Sequence, residues 1–385
     1  MLQKSANLME DINRTLTVAD RRRKAIDNSS SEKLPKTYKV NENAHSLHPN
    51  FVRSSIVNLE KLNNNITLIT FKSKEEKFPF FRGGEYVTVS KNIDGKVLTR
   101  PYSICSSPNE ALKGIIRIAV SDSGYFSHAL VNSKVNDEVI LSEPSGNFYF
   151  DSLRNKNTIL GIAGGYGLTP FISMMKSIIE GTNDYKLNLI IGLKKIDDLF
   201  INLNEFNHPN IHIEIVLSEQ KLEGYKYGFI DEQILSNYNL KDSSIFMCGP
   251  DKMYEFVTNE LAKLGVDTNS IRVEHNRLSN LNEKEEFYNI KVKIRSEVFK
   301  IKASSNETLA SAFDRAGIIA PLRCEGGVCG FCHSRLISGK YYVNKSKDFR
   351  READLKFNYI HPCVTYPRSD MEIDVPPIDI LKELK

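Results

Sequence analysis

The spacing of apolar and polar residues divides the chain of 385 residues into segments of different character. From about residue 51, short apolar runs of strand length, such as 86–89 and 115–120, follow one another, and turn formers such as Gly83-Gly84 separate them. Many short strands with such punctuation are typical of a small antiparallel barrel. We therefore predict an antiparallel β-barrel over residues 51–152.

Farther along, apolar strands alternate with helical stretches, which is the pattern of a parallel sheet flanked by helices. The predicted strands cover residues 158–163, 187–191, 211–217 and 245–248, and the clearest helix covers residues 169–179. We expect an α/β domain with a parallel sheet over residues 153–275.

The last hundred residues change pattern again, after a charged stretch at 276–286 that predicts a linker. Apolar and basic residues alternate over 290–295, as in a half-buried strand, and a helix is expected over 307–316 with Gly317 ending it. We assign residues 287–385 to an α+β domain of β-grasp-like architecture. The fold class is therefore multidomain, with a barrel, an α/β domain and a small α+β domain.

Residues 1–50 form a polar and charged extension before the first predicted strand. An amphipathic helix is expected there, with Leu8, Met9, Ile12 and Leu16 on one side. No function follows from this segment.

Charge and composition exclude several classes of partner. The net charge is only +4, and the basic residues are spread along the chain, so no nucleic-acid partner is expected. The one dense basic run, 21–24, is interpreted as the solvated face of the N-terminal helix. We find neither a signal peptide nor an apolar run long enough for a membrane span, and we expect a cytoplasmic protein.

Four of the six cysteines follow one spacing: Cys324, Cys329 and Cys332 read C-x4-C-x2-C, and Cys363 follows about thirty residues later. This is the plant-type pattern of a [2Fe–2S] cluster, and the glycines within the loop allow it to fold closely around two irons. A structural zinc site is the alternative, although zinc ligands usually occur as two C-x2-C pairs. The remaining cysteines are too few for a disulfide framework, which suits a reducing compartment.

Within the predicted barrel, Arg100-Pro101-Tyr102-Ser103 resembles the R-x-Y-S signature of the ferredoxin–NADP reductase superfamily. The resemblance extends over residues 51–275 and implies a bound flavin. An arginine offers a forked donor to a phosphate, a tyrosine can stack on the isoalloxazine ring, and a serine hydroxyl can reach the ring edge near N5. By this resemblance, all four residues bind the cofactor, and Ser103 is also catalytic.

The resemblance places a second phosphate-binding turn at residues 123–128, with Gly124 and Ser127 as the cofactor-binding residues. Relatives that use FMN tend to carry an arginine and additional glycines at this turn. Because this turn has neither, we expect FAD, with FMN as the alternative.

A glycine loop lies between the first predicted strand of the α/β domain and its clearest helix. Gly164, Gly165 and Gly167 allow the backbone to approach a pyrophosphate, Thr169 is a natural N-cap, and Pro170 suits the first helical position. A plain strand-to-helix turn would explain two of the glycines. The whole loop matches the superfamily pattern G-G-x-G-x-T-P, which implies that it binds NAD(P)H.

Other superfamily features border the expected path of the hydride. Cys248, Gly249 and Pro250 resemble the C-G-P turn that lies beside the nicotinamide, and we expect Cys248 to be catalytic as well as cofactor-binding. Glu274 stands where relatives often carry an acid near the flavin, and it is the third catalytic candidate. Lys194 replaces the arginine that is usual after the second strand of this domain.

The residues directly after the strand at 211–217 help to determine whether NADH or NADPH is bound. Relatives that prefer the 2′-phosphate carry Ser-Arg there, whereas here Ser218 precedes Glu219, whose carboxylate would repel that phosphate. We expect NADH. Lys221 and Lys226 keep NADPH as the alternative.

The order of flavin barrel, nucleotide domain and C-terminal ferredoxin resembles the electron-transfer reductases that serve Rieske oxygenases, phenylacetyl-CoA epoxidation systems and hybrid-cluster proteins. The resemblance implies an NAD(P)H:acceptor oxidoreductase in which electrons pass from NADH through flavin and the [2Fe–2S] cluster, one at a time, to a partner redox protein. That partner would be an oxygenase or a reductase component. The alternatives are a stand-alone reductase of a small molecule and a redox-sensing regulatory subunit.

Overall fold

The computed structural model of the chain describes residues 2–29, 39–40, 49–75, 77–274 and 281–384. The contacts divide the chain into two compact units, residues 1–47 and residues 48–385. Within the described residues, we find no helix that combines the length and the apolar character needed to cross a membrane.

The first unit contains the predicted N-terminal helix, α1 (Leu2–Asp27). The basic run at 21–24 is exposed on it, as the interpretation of a solvated face requires. Of the expected apolar side, Leu16 is exposed, and the side chains of Leu8, Met9 and Ile12 lie outside the described part.

The second unit begins with six antiparallel strands that form the predicted barrel. They are β1 (Phe51–Lys61), β2 (Ile66–Ser73), β3 (Tyr86–Ile93), β4 (Lys96–Ser103), β5 (Ile115–Ser121) and β6 (Glu138–Ser142), in the spatial order β4-β3-β6-β1-β2-β5. A bridge between Ile104 and Ile118 and a 2.8 Å hydrogen bond from the Cys105 amide to the Arg117 carbonyl join the two outer strands. The sheet closes there, and its interior is filled by buried aliphatic and phenylalanine side chains. Two short helices connect the strands, α2 (Pro108–Ala111) and α3 (Tyr125–Val131).

A parallel sheet of six strands follows. Its strands are β7 (Thr158–Gly164), β8 (Lys186–Leu193), β9 (Ile211–Leu217), β10 (Lys226–Tyr227), β11 (Ser244–Cys248) and β12 (Arg272–Val273), in the order β10-β9-β8-β7-β11-β12. Helices α4 (Thr169–Ile179), α5 (Glu232–Leu235) and α6 (Asp251–Lys263) connect them. Successive residues of β7 belong to different cores: Ile159 packs with α4, whereas Leu160 packs with α5 and α6. Burial on both faces is why these strands read as continuous apolar runs.

The C-terminal part is a mixed five-stranded sheet with a helix packed against it. The sheet contains β13 (Phe287–Ile294), β14 (Glu297–Ser304), β15 (Ser334–Ser338), β17 (Tyr359–Ile360) and β19 (Met371–Asp374), in the order β14-β13-β19-β15-β17. β16 (Tyr341–Tyr342) and β18 (Tyr366–Pro367) form a separate pair, and the helices are α7 (Leu309–Arg315) and α8 (Glu352–Lys356). The predicted multidomain fold class is confirmed.

The barrel and the parallel sheet share one apolar core. Phe148 of the barrel side lies edge-on against Phe171 of α4, with ring centroids 5.4 Å apart. The backbones also touch, because a Cβ added at Gly83 would lie 2.9 Å from the Cα of Met174. We call this contact the nucleotide junction.

The barrel contacts the C-terminal domain differently, through a small apolar cluster and several ion pairs. The cluster joins Val97 and Ile140 of the barrel to Ile319, Ile378 and Leu381. The ion pairs that cross this contact are Arg53–Glu383, Arg100–Asp314, Arg100–Glu325 and Arg323–Glu143. We call this contact the ferredoxin junction.

Candidate flavin, nucleotide and iron–sulfur sites

The four cysteines of the predicted cluster lie together in two pairs. The Sγ atoms of Cys332 and Cys363 are 3.4 Å apart, and the Cys329 amide donates a hydrogen bond of 3.4 Å to the Cys324 sulfur. The Phe331 amide donates in the same way to the Cys329 sulfur. Cys329 is exposed, whereas the other three thiols are buried.

This arrangement fits a two-iron cluster. Two pairs of thiols provide two ligands for each iron, whereas a structural zinc site draws four ligands to one ion. The loop backbone is shaped closely: Gly327 has a φ of 82°, and a Cβ there would lie 2.9 Å from Val364. Four cysteinates could therefore hold [2Fe–2S] at this place.

Hydrogen bonding favours the thiolate at the exposed end of the loop. The pKa of Cys329 is lowered, chiefly because the Cys324 thiol donates to its sulfur, with the Phe331 amide contributing. Thiolates are the form that binds iron. The exposed cysteine is thus prepared as a metal ligand by its neighbours.

The structure brings the R-P-Y-S segment and the second predicted phosphate turn together. Arg100 lies with its guanidinium carbon 5.6 Å from the ring centroid of Phe126, and the rings of Tyr102 and Phe126 are stacked at 6.3 Å. Gly124 precedes that phenylalanine at the start of α3, where its amide donates to the Ser127 hydroxyl at 2.9 Å. Pro101 lies between Arg100 and Tyr102 in β4, within the ladder to β3. The two flavin-binding segments predicted from the sequence are therefore neighbours.

Arg100 has partners that the sequence did not indicate. Its Nη1 lies 2.7 Å from the Asp314 carboxylate, 3.5 Å from the Glu325 carboxylate and 2.7 Å from the Thr99 carbonyl. Burial opposes its charge, but the two carboxylates more than offset this and raise its pKa. All these contacts use Nη1, and a guanidinium has further N–H donors on Nη2 and Nε. Ion pairing to the ferredoxin domain and binding of a flavin phosphate are therefore compatible.

Ser103 ends β4, where it pairs with Tyr86 at the start of β3. The pKa of Tyr86 is raised by burial and then by the nearby Cys324 and Cys329 of the cluster loop. Tyr86 was not among the predicted site residues. Its position at the start of a strand after Gly84 resembles that of any core tyrosine, so the sequence carried no signal for it.

The glycine loop packs against the turn after β11. A Cβ at Gly167 would lie 1.9 Å from the Cys248 carbonyl oxygen, and one at Gly164 would lie 3.0 Å from Pro250. Gly249 is equally confined, because its Cβ would lie 3.2 Å from the Cα of Gly164. These glycines are needed for packing between two loops at the carboxyl ends of neighbouring parallel strands.

Gly165 has a different role from its neighbours. Its φ is 51°, and a Cβ added there would meet no atom within 4 Å. It therefore provides open space at the start of the helix, where a pyrophosphate can approach the backbone. Of the three glycines, only this one leaves open space, and its contact with a pyrophosphate stays a prediction.

The expectation that Thr169 caps the helix is wrong. Residues Gly165–Leu168 form a turn of 3₁₀ helix that leads directly into α4, so Thr169 is already helical. Its hydroxyl donates to the Tyr166 carbonyl at 3.0 Å. Pro170 consequently occupies the second helical position and not the first.

Cys248 ends β11, Glu274 directly follows the neighbouring strand β12, and a hydrogen-bonded tyrosine lies between them. The Gly249 amide donates to the Tyr254 hydroxyl at 2.9 Å, and that hydroxyl donates to the Glu274 carbonyl at 2.7 Å. Tyr254 was not among the residues predicted from the sequence. Its place one helical turn after Pro250 is the signal that could have identified it.

Glu274 is a partly buried acid with a buried, unsatisfied carboxyl oxygen. Within the described part of the chain, its Oε2 has no hydrogen-bond partner. Burial raises the pKa of Glu274 to about 8, and the nearby Cys324 adds to the shift. An unpaired buried carboxyl oxygen is costly, which fits a site where a ligand supplies the missing partner.

The segment after β9 carries the predicted carboxylate at the expected place. Glu219 lies 3.2 Å from the ammonium of Lys194, the residue that replaces the usual arginine of relatives. Lys221 lies over the Tyr227 ring at 4.9 Å. Glu219 therefore has a basic neighbour. Lys221, one of the two lysines for which NADPH was retained as the alternative, packs over an aromatic ring instead.

The chain matches three protein families in succession. Residues 54–150 match the oxidoreductase FAD-binding domain, residues 162–259 the oxidoreductase NAD-binding domain, and residues 292–368 the 2Fe-2S iron-sulfur cluster binding domain. The expected FAD, NADH and [2Fe–2S] cluster are confirmed as the cofactors.

Several known proteins are similar to this chain over about three quarters of its length. A component of the 1,2-phenylacetyl-CoA epoxidase from Escherichia coli K12 is 26% identical over 321 residues, which are 76% of this chain and 88% of that protein. The NADH oxidoreductase HCR of the same organism is 23% identical, with the same two coverages. The glycine betaine monooxygenase reductase of Chromohalobacter salexigens is 24% identical, over 77% of this chain and 87% of that protein.

Among solved structures, phthalate dioxygenase reductase shares the fold with a TM-score of 0.61 and 21% identity, over 85% of this chain and 98% of its own. Together with the three domains in their order, these relatives confirm the resemblance found in the sequence. The chain belongs to the ferredoxin–NADP reductase superfamily, as a flavin- and NAD-binding oxidoreductase with a C-terminal [2Fe–2S] domain.

Proposed function

We propose that this protein is the reductase component of an oxygenase system, which takes electrons from NADH and delivers them singly to a partner redox protein. The observation that carries the proposal is the meeting of the cluster loop and the predicted flavin segment: Glu325, the neighbour of Cys324, lies with its carboxylate 3.5 Å from Nη1 of Arg100. When bound, the flavin supplies the step from hydride to single electrons, and the cluster supplies one-electron transfer. The relatives named as monooxygenase reductases support an oxygenase as the acceptor.

Within this function, the residues of the chain have separate tasks. Arg100, Tyr102 and the turn at 124–127 would hold the flavin, with Ser103 toward its reactive edge. Gly165 would admit the nucleotide pyrophosphate to the start of α4, and Cys248 would border the nicotinamide. Glu274 would hold a proton on its carboxyl group, because burial favours the neutral acid.

We further propose that the domain boundaries lie at 51–152, 153–275 and 287–385. The linker at 276–286 is proposed on composition, and its first residues, 276–280, lie outside the described ranges. We also propose the cytoplasm as the compartment, because the cluster thiolates require reducing surroundings.

Two alternatives are not favoured. A stand-alone reductase of a small molecule would not need a cluster loop placed against the flavin side of the molecule. A redox-sensing regulatory protein would not need Cys248 and Glu274, the residues proposed to border the hydride path, which share the hydroxyl of Tyr254 as a neighbour.

The test uses the intact holoprotein with its cofactors. Flavin and [2Fe–2S] are expected in a one-to-one ratio, the released flavin is expected to be FAD, and NADH is expected to drive a purified oxygenase encoded by neighbouring genes. Zinc in place of iron and acid-labile sulfide would contradict the cluster. Turnover of a small molecule at full rate by a protein that lacks the cluster would establish the first alternative.

A further inference from the structure

Cys324 is flanked in the sequence by two residues of opposite charge, and each forms an ion pair across the ferredoxin junction. Arg323 lies with its Nη1 3.2 Å from a carboxylate oxygen of Glu143, just after β6. Glu325 lies with its Oε1 3.5 Å from Nη1 of Arg100, in β4. The first cluster cysteine is therefore held between two contacts with the flavin barrel.

Both contacts are shielded from water. The side chains of Arg323 and Glu143 are 14% and 29% exposed, and those of Arg100 and Glu325 are 19% and 2% exposed. Asp314 of α7 joins the second pair at 2.7 Å from Arg100. Partly buried charge pairs depend strongly on geometry and are costly to break on one side only, so they specify one arrangement of the surfaces that carry them.

Neighbouring side chains fix the loop further on the same side. The guanidinium of Arg323 lies over the Phe331 ring at 4.3 Å, and that ring packs on the apolar cluster of the ferredoxin junction. Because Phe331 precedes the ligand Cys332, the arginine connects both ends of the C-x4-C-x2-C loop. Glu325 has a left-handed φ of 51°, a conformation rare for residues other than glycine.

The two pairs have opposite polarity. In one pair the cluster loop contributes the cation, and in the other it contributes the anion. A rotation or a slide of the ferredoxin domain that exchanged the partners would bring like charges together, which disfavours the wrong placement. The arrangement therefore selects one orientation of Cys324 toward Tyr86 and Glu274.

We propose that Arg323, Glu143, Glu325 and Asp314 are positioning residues that hold Cys324 against the flavin side and thereby set the rate of electron transfer from flavin to cluster. This inference rests on the proposed function. The residues act through the placement of the loop and not by contact with the reacting atoms.

The experiment compares Glu143→Gln and Asp314→Asn in the holoprotein with a matched control, Glu383→Gln. Glu383 pairs with Arg53 across the same junction, but both side chains are more than half exposed and neither lies in the cluster loop. Stopped-flow mixing with NADH under anaerobic conditions measures the reduction of flavin and of cluster separately. Hydrogen exchange measures the amides of residues 322–332 without any turnover.

In both test variants, we expect cluster reduction to slow about tenfold while flavin reduction stays within twofold, and loop amides to exchange about tenfold faster. The control should change neither quantity by more than twofold. The double variant Arg323→Glu/Glu143→Arg, which restores opposite charges, should recover most of the rate that Arg323→Glu alone loses.

The proposal is overturned if cluster reduction in both test variants matches the wild type, whatever the amides do, or if the control slows as much as they do. Failure of the proposed function would look different. In that case NADH would not reduce the wild-type cluster at all, while faster exchange in the test variants would still show that the ion pairs hold the loop.

Discussion

The two junctions of the flavin barrel are built from different interactions. The nucleotide junction is apolar and brings backbones into contact, with Gly83 against Met174 and Phe148 within the shared core. The ferredoxin junction combines a small apolar cluster with ion pairs, of which Arg53–Glu383 is more than half exposed and Arg323–Glu143 is largely shielded.

The difference matches the proposed tasks of the two sides. Hydride transfer requires the reacting atoms within about 3.5 Å of each other, and only close packing fixes two domains that tightly. Electron transfer to a cluster needs a defined placement but no bond between the partners. Charge pairs can supply that placement, and they are weakened by salt where apolar contacts are not. Variants in the nucleotide junction and in the ferredoxin junction should therefore affect different steps.

The largest effect is expected from breaking the ferredoxin side alone. Cys329→Ser removes one cluster ligand from a domain that holds none of the predicted flavin or nucleotide residues. We expect loss of more than about nine-tenths of the activity toward cytochrome c or the native partner, with ferricyanide reduction largely retained because ferricyanide accepts electrons from reduced flavin. Steady-state assays with both acceptors measure this.

The contrasting variant is Arg100→Ala, which removes the proposed phosphate anchor. Flavin content should fall, and both activities should fall together, because every later step depends on the flavin. If Cys329→Ser kept full activity toward the native acceptor, the division of tasks between the junctions would be wrong.

The next largest effect is expected from a steric change in the nucleotide junction. Gly83→Ala places a Cβ 2.9 Å from the Cα of Met174, and overpacking of this kind costs about 1–3 kcal/mol. We expect ferricyanide reduction by NADH to fall about tenfold and the thermal midpoint to fall. Gly95→Ala is the control: its Cβ meets no atom within 4 Å, so only backbone strain in the turn is added, and activity should be unchanged. Equal loss in both variants would mean that junction packing is not the cause.

The sequence predicted the elements of both sides better than their contacts. The strands 158–163 and 211–217 and the helix 169–179 follow from continuous or periodic burial, and the cysteines follow from their spacing. The ion pair between Arg100 and Glu325 could not be predicted, because the two residues are 225 positions apart, the arginine was assigned to the flavin phosphate, and the glutamate resembles a solvated charge.

The role of individual glycines was likewise hidden. The sequence motif assigned Gly164, Gly165 and Gly167 to nucleotide binding, which stays a prediction, and it did not show that the first and third also pack against the turn at 248–250. The predicted cap at Thr169 failed because a turn of 3₁₀ helix before it was not recognised. Both points concern loop geometry, which depends on contacts distant in the sequence.

A smaller effect is expected for nucleotide choice. Glu219→Arg replaces the carboxylate beside Lys194 with a cation, so two basic groups would face the position of a 2′-phosphate. We expect the ratio of kcat/KM for NADH to that for NADPH to fall at least tenfold, measured with ferricyanide. Glu219→Gln should give an intermediate ratio. A wild-type preference for NADPH would contradict the assignment and implicate Lys221 or Lys226.

The smallest predicted effect is on the pH dependence of stability, and it comes from Glu274. The pKa of Glu274 is raised to about 8, chiefly by burial, whereas an unfolded glutamate titrates near ~4.3. Between these values the folded state binds more protons than the unfolded state, so the contribution of Glu274 to stability falls as pH rises, by up to about 1.4 kcal/mol per pH unit.

Glu274→Gln removes this titration while keeping the shape of the side chain. Thermal unfolding at pH 5, 6, 7 and 8 should therefore show the wild type losing stability relative to the variant as pH rises. A constant difference between the two proteins across this range would show that Glu274 is ionised in the folded state throughout.

In the proposed function, electrons reach the cluster only by way of the flavin, across the ferredoxin junction. Anaerobic stopped-flow mixing of the holoprotein with one equivalent of NADH tests it directly, with freeze-quenched samples examined by electron paramagnetic resonance. We expect flavin absorbance to bleach first and the signal of a reduced [2Fe–2S] cluster to follow, with only the first phase remaining in Cys329→Ser. A cluster that stays oxidised after the wild-type flavin is fully reduced would contradict the account.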